Sequence, residues 1–432
     1  MRSLSDLPNP AFLNSGGNAP GSRWEILSAL PSATLTVRNG HISCSDLSPE
    51  ELRLNFFDIL ALLTERYTPS AATKDAVLAS LPFSGGAIGF VGYPELTNTS
   101  NQLVTQAFFG IYLWAIVTDH QAQHSTLFFL PGLSQQARDK VMAAINNQQP
   151  KPNEFKLVNK FSNDVAETDY RSGFGSIKAF IRDGDCYQVN LTQRFSSRFT
   201  GKPIDAYLQL LKQIDSPMCA FLAWDQEALL SLSPERFLKL DRGLVTTQPI
   251  KGTRPRGSTE SDDLCLAREL QHSEKDKAEN LMIVDLLRND LGAVCEYGSI
   301  QVDALFQLQS FNNVHHLVST VSGKLRTSES GFSLFAKCFP GGSVTGAPKI
   351  RAMEIISELE SFDRGPYCGS VAYFSFNGRL DSSITIRSLY CRNDEIYCWA
   401  GGGIVEDSDF SQEFQECMDK INNLIRILQN IN

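Results

Sequence analysis

The sequence lacks the features that mark membrane, secreted and zinc-binding proteins. No apolar run approaches the roughly 20 residues that a membrane-spanning helix requires, and the N-terminal stretch has no apolar region typical of a secretory signal. Ten cysteines are scattered singly, and none stands in a CxxC pair, which argues against a zinc site. Cysteines used as small core residues favour a reducing compartment, so we expect a cytoplasmic protein.

An excess of positive charge is also missing. The chain has 48 acidic and 39 basic residues, and its formal net charge at pH 7 is −9. Nucleic acids and anionic membranes repel a negative chain, so we expect neither as a partner. If the ligand is an anion, its positively charged site must be local or supplied by a metal.

The order of predicted elements indicates an α+β protein. Strand-like runs come in blocks with hairpin-like connections, and helices are predicted over 48–67, 262–291 and 408–427. The glycine-rich run from Gly85 to Tyr93 predicts a close-packed strand, because no helix follows it as a phosphate loop would require.

A polar stretch, QQPKP at 148–152, predicts a linker. It separates a β-rich N-terminal part, 1–150, from a second part, 160–432. A chain of 432 residues can form two or three domains or one large unit. We expect the two parts to form one compact unit.

Lys251 lies on a turn that constrains its backbone. The stretch 246–257, TTQPIKGTRPRG, places this lysine between a stiffening proline and Gly252, which allows a tight turn. A lysine held in this way can act as a nucleophile if burial or nearby cations such as Arg254 and Arg256 lower its pKa. On this stretch alone, an ordinary surface lysine is the simpler interpretation.

Two predicted helices each carry a pair of acids three residues apart. Asp276 and Glu279 share one helical face, and Glu413 and Glu416 share another. Carboxylates from two helices could hold one hard divalent cation such as Mg²⁺, which leaves positions for water and substrate oxygens. Solvated helix faces with salt bridges, for instance between Glu416 and Lys420, explain the same pattern.

Two glycine-rich segments are candidates for anion binding. The segment FPGGSVTGAPK, 339–349, runs directly into a predicted helix, whose N-terminal amides attract carboxylates or phosphates. The segment AGGG, 400–403, follows a predicted strand and lets a ligand approach the backbone. Tight turns are the alternative for both segments.

Three polar residues in or beside β-runs are further candidates. Arg387, in the apolar strand SITIR, needs an anionic partner if buried, and a ligand carboxylate is one candidate. His316 is a candidate acid or base, although a single histidine on a strand is more often structural. Glu235 is a candidate general acid or base, with an ion pair to Arg236 as the alternative.

In chain order, these motifs resemble those of the chorismate-utilising enzymes. Between about 168 and 427 they read GDCYQVNL, LSPERF, PIKGTRPR, KDKAENLMIVDLLRNDLG, VHHLVS, FPGGSVTGAPK, SSITIR and AGGGIV. Over the first third of the chain the resemblance is looser, but the motif GGAIGFVGY fits there as well. The aminodeoxychorismate synthase component I branch is the most similar. The resemblance implies an α+β fold like that of anthranilate synthase component I, in which large antiparallel sheets form a two-lobed sandwich with helices outside.

The resemblance also implies roles for the polar residues. Glu279 and Glu416 would bind Mg²⁺ directly, and Asp276 and Glu413 would bind it through water. His316 would lie near the reacting ring. The residues expected to contact the substrate are Gln188, Thr345, Gly346, Arg387 and the backbone amides of Gly401, Gly402 and Gly403.

In this branch the lysine at the position of Lys251 is the nucleophile. The resemblance implies that it adds at C2 of chorismate while the C4 hydroxyl leaves, with Glu235 protonating that hydroxyl. Ammonia then attacks C4 and expels the lysine, giving 4-amino-4-deoxychorismate. Anthranilate synthases carry Ala at position 251, and isochorismate and salicylate synthases carry Lys at position 188, where this chain has Gln188.

Two partners are also implied. Ammonia would come from a separate glutamine amidotransferase subunit, because the chain has no glutaminase cysteine motif. Tryptophan would bind in the N-terminal part, although Gly21, Met218 and Cys219 depart from the usual residues. The positions that align with this pocket are Ser15, Ser22, Arg23, Trp24, Pro217, Met218 and Cys219. Two other functions stay open: an anthranilate synthase large subunit, and a non-catalytic tryptophan-binding or amidotransferase-docking subunit.

Overall fold

A computed structural model describes residues 1–15, 22–44, 46–69, 75–94, 104–147, 154–312 and 314–431. Within these ranges the chain alternates between helices and runs of strands. The helices are α1 Arg2–Ser5, α2 Phe56–Tyr67, α3 Ala76–Ser80, α4 Gln135–Asn146, α5 Glu167–Arg182, α6 Pro203–Leu211, α7 Glu260–His272, α8 Glu274–Gly292, α9 Gly331–Cys338, α10 Lys349–Leu359 and α11 Phe410–Gln429, with 3₁₀ turns at Glu51–Arg53 and Gly342–Val344.

The strands fall into a shorter N-terminal set and a longer second set. The N-terminal set is β1 Ala11–Asn14, β2 Trp24–Ser28, β3 Ala33–Arg38, β4 His41–Ser43, β5 Gly86–Val91, β6 Thr105–Tyr112, β7 Trp114–Asp119 and β8 His124–Phe129. The second set is β9 Lys156–Leu157, β10 Ser162–Asn163, β11 Gln188–Thr200, β12 Met218–Trp224, β13 Glu227–Ser233, β14 Arg236–Asp241, β15 Leu244–Gln248, β16 Ile250–Pro255, β17 Gln301–Ser310, β18 Val314–Lys324, β19 Gly346–Ala347, β20 Ser370–Ser375, β21 Leu380–Ile384, β22 Ser388–Arg392 and β23 Glu395–Ile404.

Two large antiparallel sheets contain all of these strands. Sheet A has the order β10-β11-β23-β22-β13-β12-β1-β2-β7-β8, with β9 and β19 paired to β11. Sheet B has the order β16-β18-β15-β14-β21-β20-β5-β6-β3-β4, with β17 paired to β18. The predicted α+β class with antiparallel sheets is confirmed.

The sheets pack face to face through an aromatic core. Trp224 of sheet A stacks on Phe108 of sheet B with a ring-centroid distance of 5.2 Å, and its ring centroid lies 4.9 Å from that of Phe90. All three side chains are buried. Large aromatic rings dominate the burial energy of such cores and fill the space between two sheets.

The N-terminal strands extend both sheets. β1, β2, β7 and β8 continue sheet A from β12, while β5, β6, β3 and β4 continue sheet B from β20. The predicted strand from Gly85 to Tyr93 is β5, which lies between β20 and β6. The division into 1–150 and 160–432 stays a prediction, and the predicted linker at 148–152 lies outside the described residues.

Helices lie against the strands that carry several of the predicted site residues. α11 packs on β23, α5 and α10 pack on β11, and α8 packs on β16 and β18. No helix in the described ranges combines the length and the apolar character needed to cross a membrane.

Two predicted helices have different limits in the structure. The helix predicted over 262–291 is interrupted, because Ser273 ends α7 and caps α8 by accepting a hydrogen bond from the Asp276 amide at 3.2 Å. The helix predicted over 48–67 begins only at Phe56, after a cap from the preceding asparagine. Ser and Asn caps of this kind set the limits of a helix at positions where the hydrophobic periodicity alone would predict that the helix continues.

Two links between the sheets run side by side and carry predicted site residues. The link from β13 to β14 contains Glu235, and the link from β21 to β22 contains Arg387. The Ile384 amide donates to the Glu235 carbonyl at 3.1 Å, and the Leu232 amide donates to the Arg387 carbonyl at 3.2 Å. The prediction that Arg387 lies within a strand is therefore wrong: β21 ends at Ile384, and Arg387 has a φ of 50° on the link.

Candidate active site

Lys251 lies on a β-bulge in the edge strand β16. Together with Gly252 it stands opposite a single residue of β18, Leu317, so the strand carries one extra residue here. Gly252 has a φ of 87°, and a Cβ at this position would come within 3.0 Å of the Asp276 side chain. The Lys251 Nζ donates to the Ser343 carbonyl at 3.2 Å. The bulge thus directs the lysine toward the glycine-rich loop.

The two arginines that follow Lys251 are both paired with acids. Arg254 donates to Glu269 at 2.8 Å and to Asp276 at 3.2 Å. Arg256 forms a bidentate pair with Asp263, with both distances at 2.7 Å. Their positive charges are therefore largely balanced by carboxylates of α7 and α8.

Glu235 is buried beside the same loop. Burial raises the pKa of its carboxyl group to about 7, although a hydrogen bond from Ser343 and the charge of Lys251 lower it in part. The predicted alternative, an ion pair between Glu235 and Arg236, is wrong, because Arg236 pairs with Asp381 at 2.9 Å. A carboxyl group that keeps its proton near neutral pH can serve as a general acid.

His316 and Arg387 lie near each other in the interior. The His316 Nδ1 is 2.9 Å from the Thr253 hydroxyl, and burial, followed by the charge of Arg387, lowers the histidine pKa to about 3. Burial also lowers the pKa of Arg387, and its guanidinium has no hydrogen bond or ion pair with the described residues. A half-buried cation without a carboxylate partner suits an anionic ligand.

Gln188 and the three glycines lie on the paired strands β11 and β23. The Gln188 side chain is fully buried, and neither of its polar atoms has a hydrogen-bond partner in the described part of the chain. The glycines were predicted to follow a strand, but β23 continues through them to Ile404. The absent side chains of Gly402 and Gly403 leave room for the Glu413 carboxylate and the Gln188 amide. Gly401 pairs with β11 beside them.

Thr345 and Gly346 end the glycine-rich loop next to Gln188. Gly346 and the following alanine form β19, which pairs with the first residues of β11. The Asn190 amide donates to the Thr345 carbonyl at 2.8 Å. As predicted, the loop leads into a helix, α10.

Two of the four predicted metal-binding acids, Glu279 on α8 and Glu413 on α11, lie beside Lys275, whose Nζ is 4.0 Å from Glu279 and 3.6 Å from Glu413. Asp276 accepts a hydrogen bond from Arg254. Burial raises the pKa of Glu279, the charges of Lys251 and Lys275 lower it in part, and the charges of Asp276 and Glu413 raise it. Glu416 pairs with Lys420 at 2.7 Å, as the salt-bridge interpretation predicted, and this charge lowers its pKa.

Comparison with known proteins identifies the family. The model of the chorismate binding enzymes matches residues 11–426. The chain belongs to the chorismate-binding enzyme family. It is 41% identical over 437 residues to aminodeoxychorismate synthase component 1 of Escherichia coli (strain K12), covering 99% of this chain and 94% of that protein. It is 34% identical over 444 residues to anthranilate synthase component 1 of Pseudomonas aeruginosa, covering 96% of this chain and 89% of that protein.

A solved structure of the same family confirms the fold. Anthranilate synthase component I from Streptococcus pneumoniae TIGR4 superposes with a TM-score of 0.81 at 30% identity, covering 95% of this chain and 93% of that one. The predicted chorismate-utilising family, the resemblance to its aminodeoxychorismate synthase branch and the anthranilate-synthase-like fold are confirmed. The protein is an enzyme that uses chorismate.

The acids of this chorismate-binding enzyme have the chemistry that Mg²⁺ requires. Among the described residues, no three acidic, histidine or cysteine side chains converge closely enough to form a ready-made metal site. The donors are nonetheless hard carboxylate oxygens from two facing helices, and one cation, the Lys275 ammonium, already lies between Glu279 and Glu413. The donor set therefore fits a divalent cation that replaces the lysine charge.

Three residues with site contacts were missed or given another role. Ser343 contacts both Lys251 and Glu235, but a serine inside a glycine-rich loop carries no sequence signal. Lys275 was not singled out, and Lys420 was considered only as a salt-bridge partner. The Lys420 Nζ also donates to the Gly401 carbonyl at 2.8 Å. Both lysines stand four residues from a predicted acid, which is the one pattern that could have found them.

Most of the residues predicted to form a tryptophan pocket line a separate cavity. Arg23 forms an ion pair with Asp119 at 2.7 Å and lies over the Trp24 ring at 4.6 Å. Ser22 donates to the Ser15 carbonyl and does not line the cavity itself. The predicted residues that line it are Ser15, Arg23, Trp24, Pro217, Met218 and Cys219.

Proposed function

We propose that this enzyme aminates chorismate at C4 and forms 4-amino-4-deoxychorismate. One observation carries the proposal: Lys251 and Glu235 share Ser343 as a neighbour, so a nucleophile and a proton donor face the same space. The 41% identity to aminodeoxychorismate synthase component 1 of Escherichia coli supports this branch. Lys251 and Gln188 occur together, as the branch requires.

The proposed reaction has two displacement steps. The Lys251 amine adds at C2 while both ring double bonds shift and the bond from C4 to its hydroxyl breaks, and Glu235 gives its proton to the departing hydroxyl, which leaves as water. Ammonia then adds at C4, both double bonds shift back, and the bond from C2 to the lysine breaks. Glu235 suits the first step because its raised pKa keeps it protonated near pH 7.

The remaining polar groups bind and orient the substrate. Arg387, Gln188 and the amides of Gly401–Gly403 would hold substrate carboxylates and hydroxyls, together with Thr345 and Gly346. His316 would lie beside the ring as a neutral imidazole, since burial depresses its pKa. Glu279 and Glu416 would hold Mg²⁺, with Asp276 and Glu413 on its water ligands; bound there, the ion supplies positive charge for the ring carboxylate.

Product analysis of a Lys251→Ala variant tests the proposal. Wild-type protein incubated with chorismate, ammonium and Mg²⁺ is expected to give aminodeoxychorismate by liquid chromatography with mass detection. Lys251→Ala should bind chorismate but lose at least 99.9% of C4 amination, because no group replaces the nucleophile. Lys324→Ala, an exposed lysine on the neighbouring strand, is the matched control and should keep full activity.

Other products would point to the alternatives. Anthranilate formed without a lyase would assign the chain to the anthranilate synthases, to which it is also similar at 34% identity. Unchanged aminodeoxychorismate output from Lys251→Ala would refute the nucleophile. Absence of turnover at high ammonium would favour a non-catalytic tryptophan-binding or amidotransferase-docking subunit.

We also propose two partners. The name of the bacterial relatives, aminodeoxychorismate synthase component 1, supports a separate glutamine amidotransferase subunit as the source of ammonia in the cytoplasm. Tryptophan is proposed for the separate cavity, since an arginine, an aspartate and aromatic rings lie together there. Calorimetric titration with tryptophan tests the second proposal, and no heat at millimolar tryptophan would reject it.

A further inference from the structure

Glu360 and Arg364 form a buried ion pair next to the candidate active site. Their side chains are only 4% and 2% exposed, and Nε and Nη2 of the arginine each donate to one carboxylate oxygen at 2.7 Å. The guanidinium also lies 4.6 Å above the Tyr93 ring. Buried pairs of this kind often stabilise a fold no more than apolar side chains of similar size, so stability alone does not explain this one.

The pair binds three backbone groups from two separate segments. Nη1 of Arg364 donates to the Val344 carbonyl at 3.1 Å, and Nη2 donates to the Asn190 carbonyl at 2.7 Å. The Glu360 carboxylate accepts the Thr192 amide at 2.9 Å. Val344 belongs to the glycine-rich loop, whereas Asn190 and Thr192 belong to β11. The pair therefore fastens the loop to the strand.

These two segments carry most of one wall of the site. Val344 lies between Ser343, whose carbonyl accepts Lys251, and Thr345. Asn190 follows Gln188 by two residues, and Thr192 pairs with Gly401 on β23. A small change in the pair would move the loop and the strand relative to each other.

We infer that Glu360 and Arg364 are positioning residues that set the spacing between the glycine-rich loop and β11 for substrate binding. The pair touches no predicted reacting group and acts through Thr345, Gln188 and the Ser343 carbonyl. A guanidinium suits this task because its planar donors bind a carboxylate and two carbonyls at fixed angles. The inference rests on the proposed function in taking chorismate as the substrate.

Arg379 provides a matched control elsewhere in the fold. It donates to Asp241, to the Ala79 carbonyl and to the Leu81 carbonyl, each at 2.7 Å. It thus repeats the pattern of one carboxylate and two carbonyls, but the segments that it joins carry no predicted active-site residue.

The test compares three variants by steady-state kinetics with chorismate, ammonium and Mg²⁺ and by hydrogen–deuterium exchange. Glu360→Met combined with Arg364→Met removes both charges and leaves neither unpaired. We expect its KM for chorismate to rise at least tenfold and the amides of 188–192 and 341–347 to exchange faster, with exchange elsewhere unchanged. Arg364→Lys should give an intermediate KM, because an ammonium can replace only part of the fork. Arg379→Met should keep KM within twofold of the wild type.

Each contrary outcome is distinct. A wild-type KM and wild-type exchange in the double variant would overturn the inference, as would an equal rise in KM for Arg379→Met. If the double variant does not fold, Arg364→Lys decides by the same two measurements. If wild-type protein does not turn over chorismate, the proposed function fails, and the exchange data alone still decide whether the pair positions these segments.

Discussion

Arg364 and Arg387 both lie near the candidate site, but Arg364 is buried, whereas Arg387 is half-buried, and their partners differ. Arg364 has a bidentate carboxylate, two backbone carbonyls and an aromatic ring as partners. Arg387 lies on a link with a positive φ, and its side chain has no partner among the described residues. Folding removes the Arg364 guanidinium from water completely and the Arg387 guanidinium in part, but only Arg364 gains protein partners in return.

The difference separates groups that build the site from groups that wait for a ligand. Burying an unpaired polar group costs free energy, which folding tolerates only where function needs it. Gln188, whose two polar atoms are unpaired, and Glu235, whose pKa is raised, wait for a ligand as Arg387 does. Glu360, like Arg364, builds the site. Substitutions of Arg387, Gln188 or Glu235 should therefore cost binding but not stability, and substitutions of Arg364 or Glu360 should cost stability.

The largest effect on stability is expected from Arg364→Met as a single change. It leaves the Glu360 carboxylate buried without its cation, and breaking a buried pair in this way costs about 3–5 kcal/mol. Urea denaturation followed by fluorescence measures this loss. Arg387→Met is the matched control and should be as stable as the wild type or more so. Equal losses for both arginines would break the comparison.

Glu235→Gln is expected to stabilise the protein above pH 7. Burial raises the carboxyl pKa from 4.5 to about 7, so the folded protein holds the proton more tightly than the unfolded chain does. The charged carboxylate then disfavours folding by about 3 kcal/mol above pH 7, a penalty that shrinks as the pH falls and vanishes below about 4.5. Denaturation curves at pH 5 and pH 8 test the sign, and a variant less stable at pH 8 would contradict it.

Glu235 should also set the pH dependence of catalysis. Because the proposed acid must carry its proton, kcat/KM is expected to fall about tenfold per pH unit above pH 7. Glu235→Gln should remove both this limb and most of the activity. A wild-type profile that is flat from pH 6 to pH 9 would exclude the proton donor.

Arg387→Met should weaken chorismate binding without unfolding the protein. A charge-assisted hydrogen bond contributes about 1.5–3 kcal/mol, which corresponds to a rise of about 10- to 150-fold in Kd. Equilibrium titration with chorismate measures the loss. Arg392→Met, on the neighbouring strand β22, is a suitable control. If Arg387→Met binds chorismate as the wild type does, the unpaired guanidinium is not a substrate contact.

The smallest effect is expected from Gln188→Met. An amide that has no partner in the free protein should cost stability, so the apolar substitution should raise the free energy of unfolding by about 1 kcal/mol. Chorismate binding should weaken by a similar amount. A loss of stability would show that the amide has a partner in the free protein.

Much of the site was predictable from residue types and spacing. The acid pairs on α8 and α11, the loop that leads into α10 and Lys251 beside Gly252 lie where the patterns indicated, because helical faces and turn glycines are local properties. Arg387 was assigned to a strand and AGGG to the end of one, since an apolar run does not show where pairing stops. The break between α7 and α8 was missed because a capping serine interrupts an otherwise continuous periodicity.

Ordered motifs and local periodicity are properties of the chain itself, so they were enough to predict the family, the α+β class and the residues that could carry the chemistry. Which polar groups are paired depends on the tertiary structure. From the sequence, Arg236 was a plausible partner for its neighbour Glu235, but in the structure it pairs with Asp381. Arg236 and Asp381 are 145 residues apart in the chain, and they meet because β14 and β21 pair as neighbouring strands of sheet B. Burial and pairing then determine which groups stabilise the fold and which are left for a ligand.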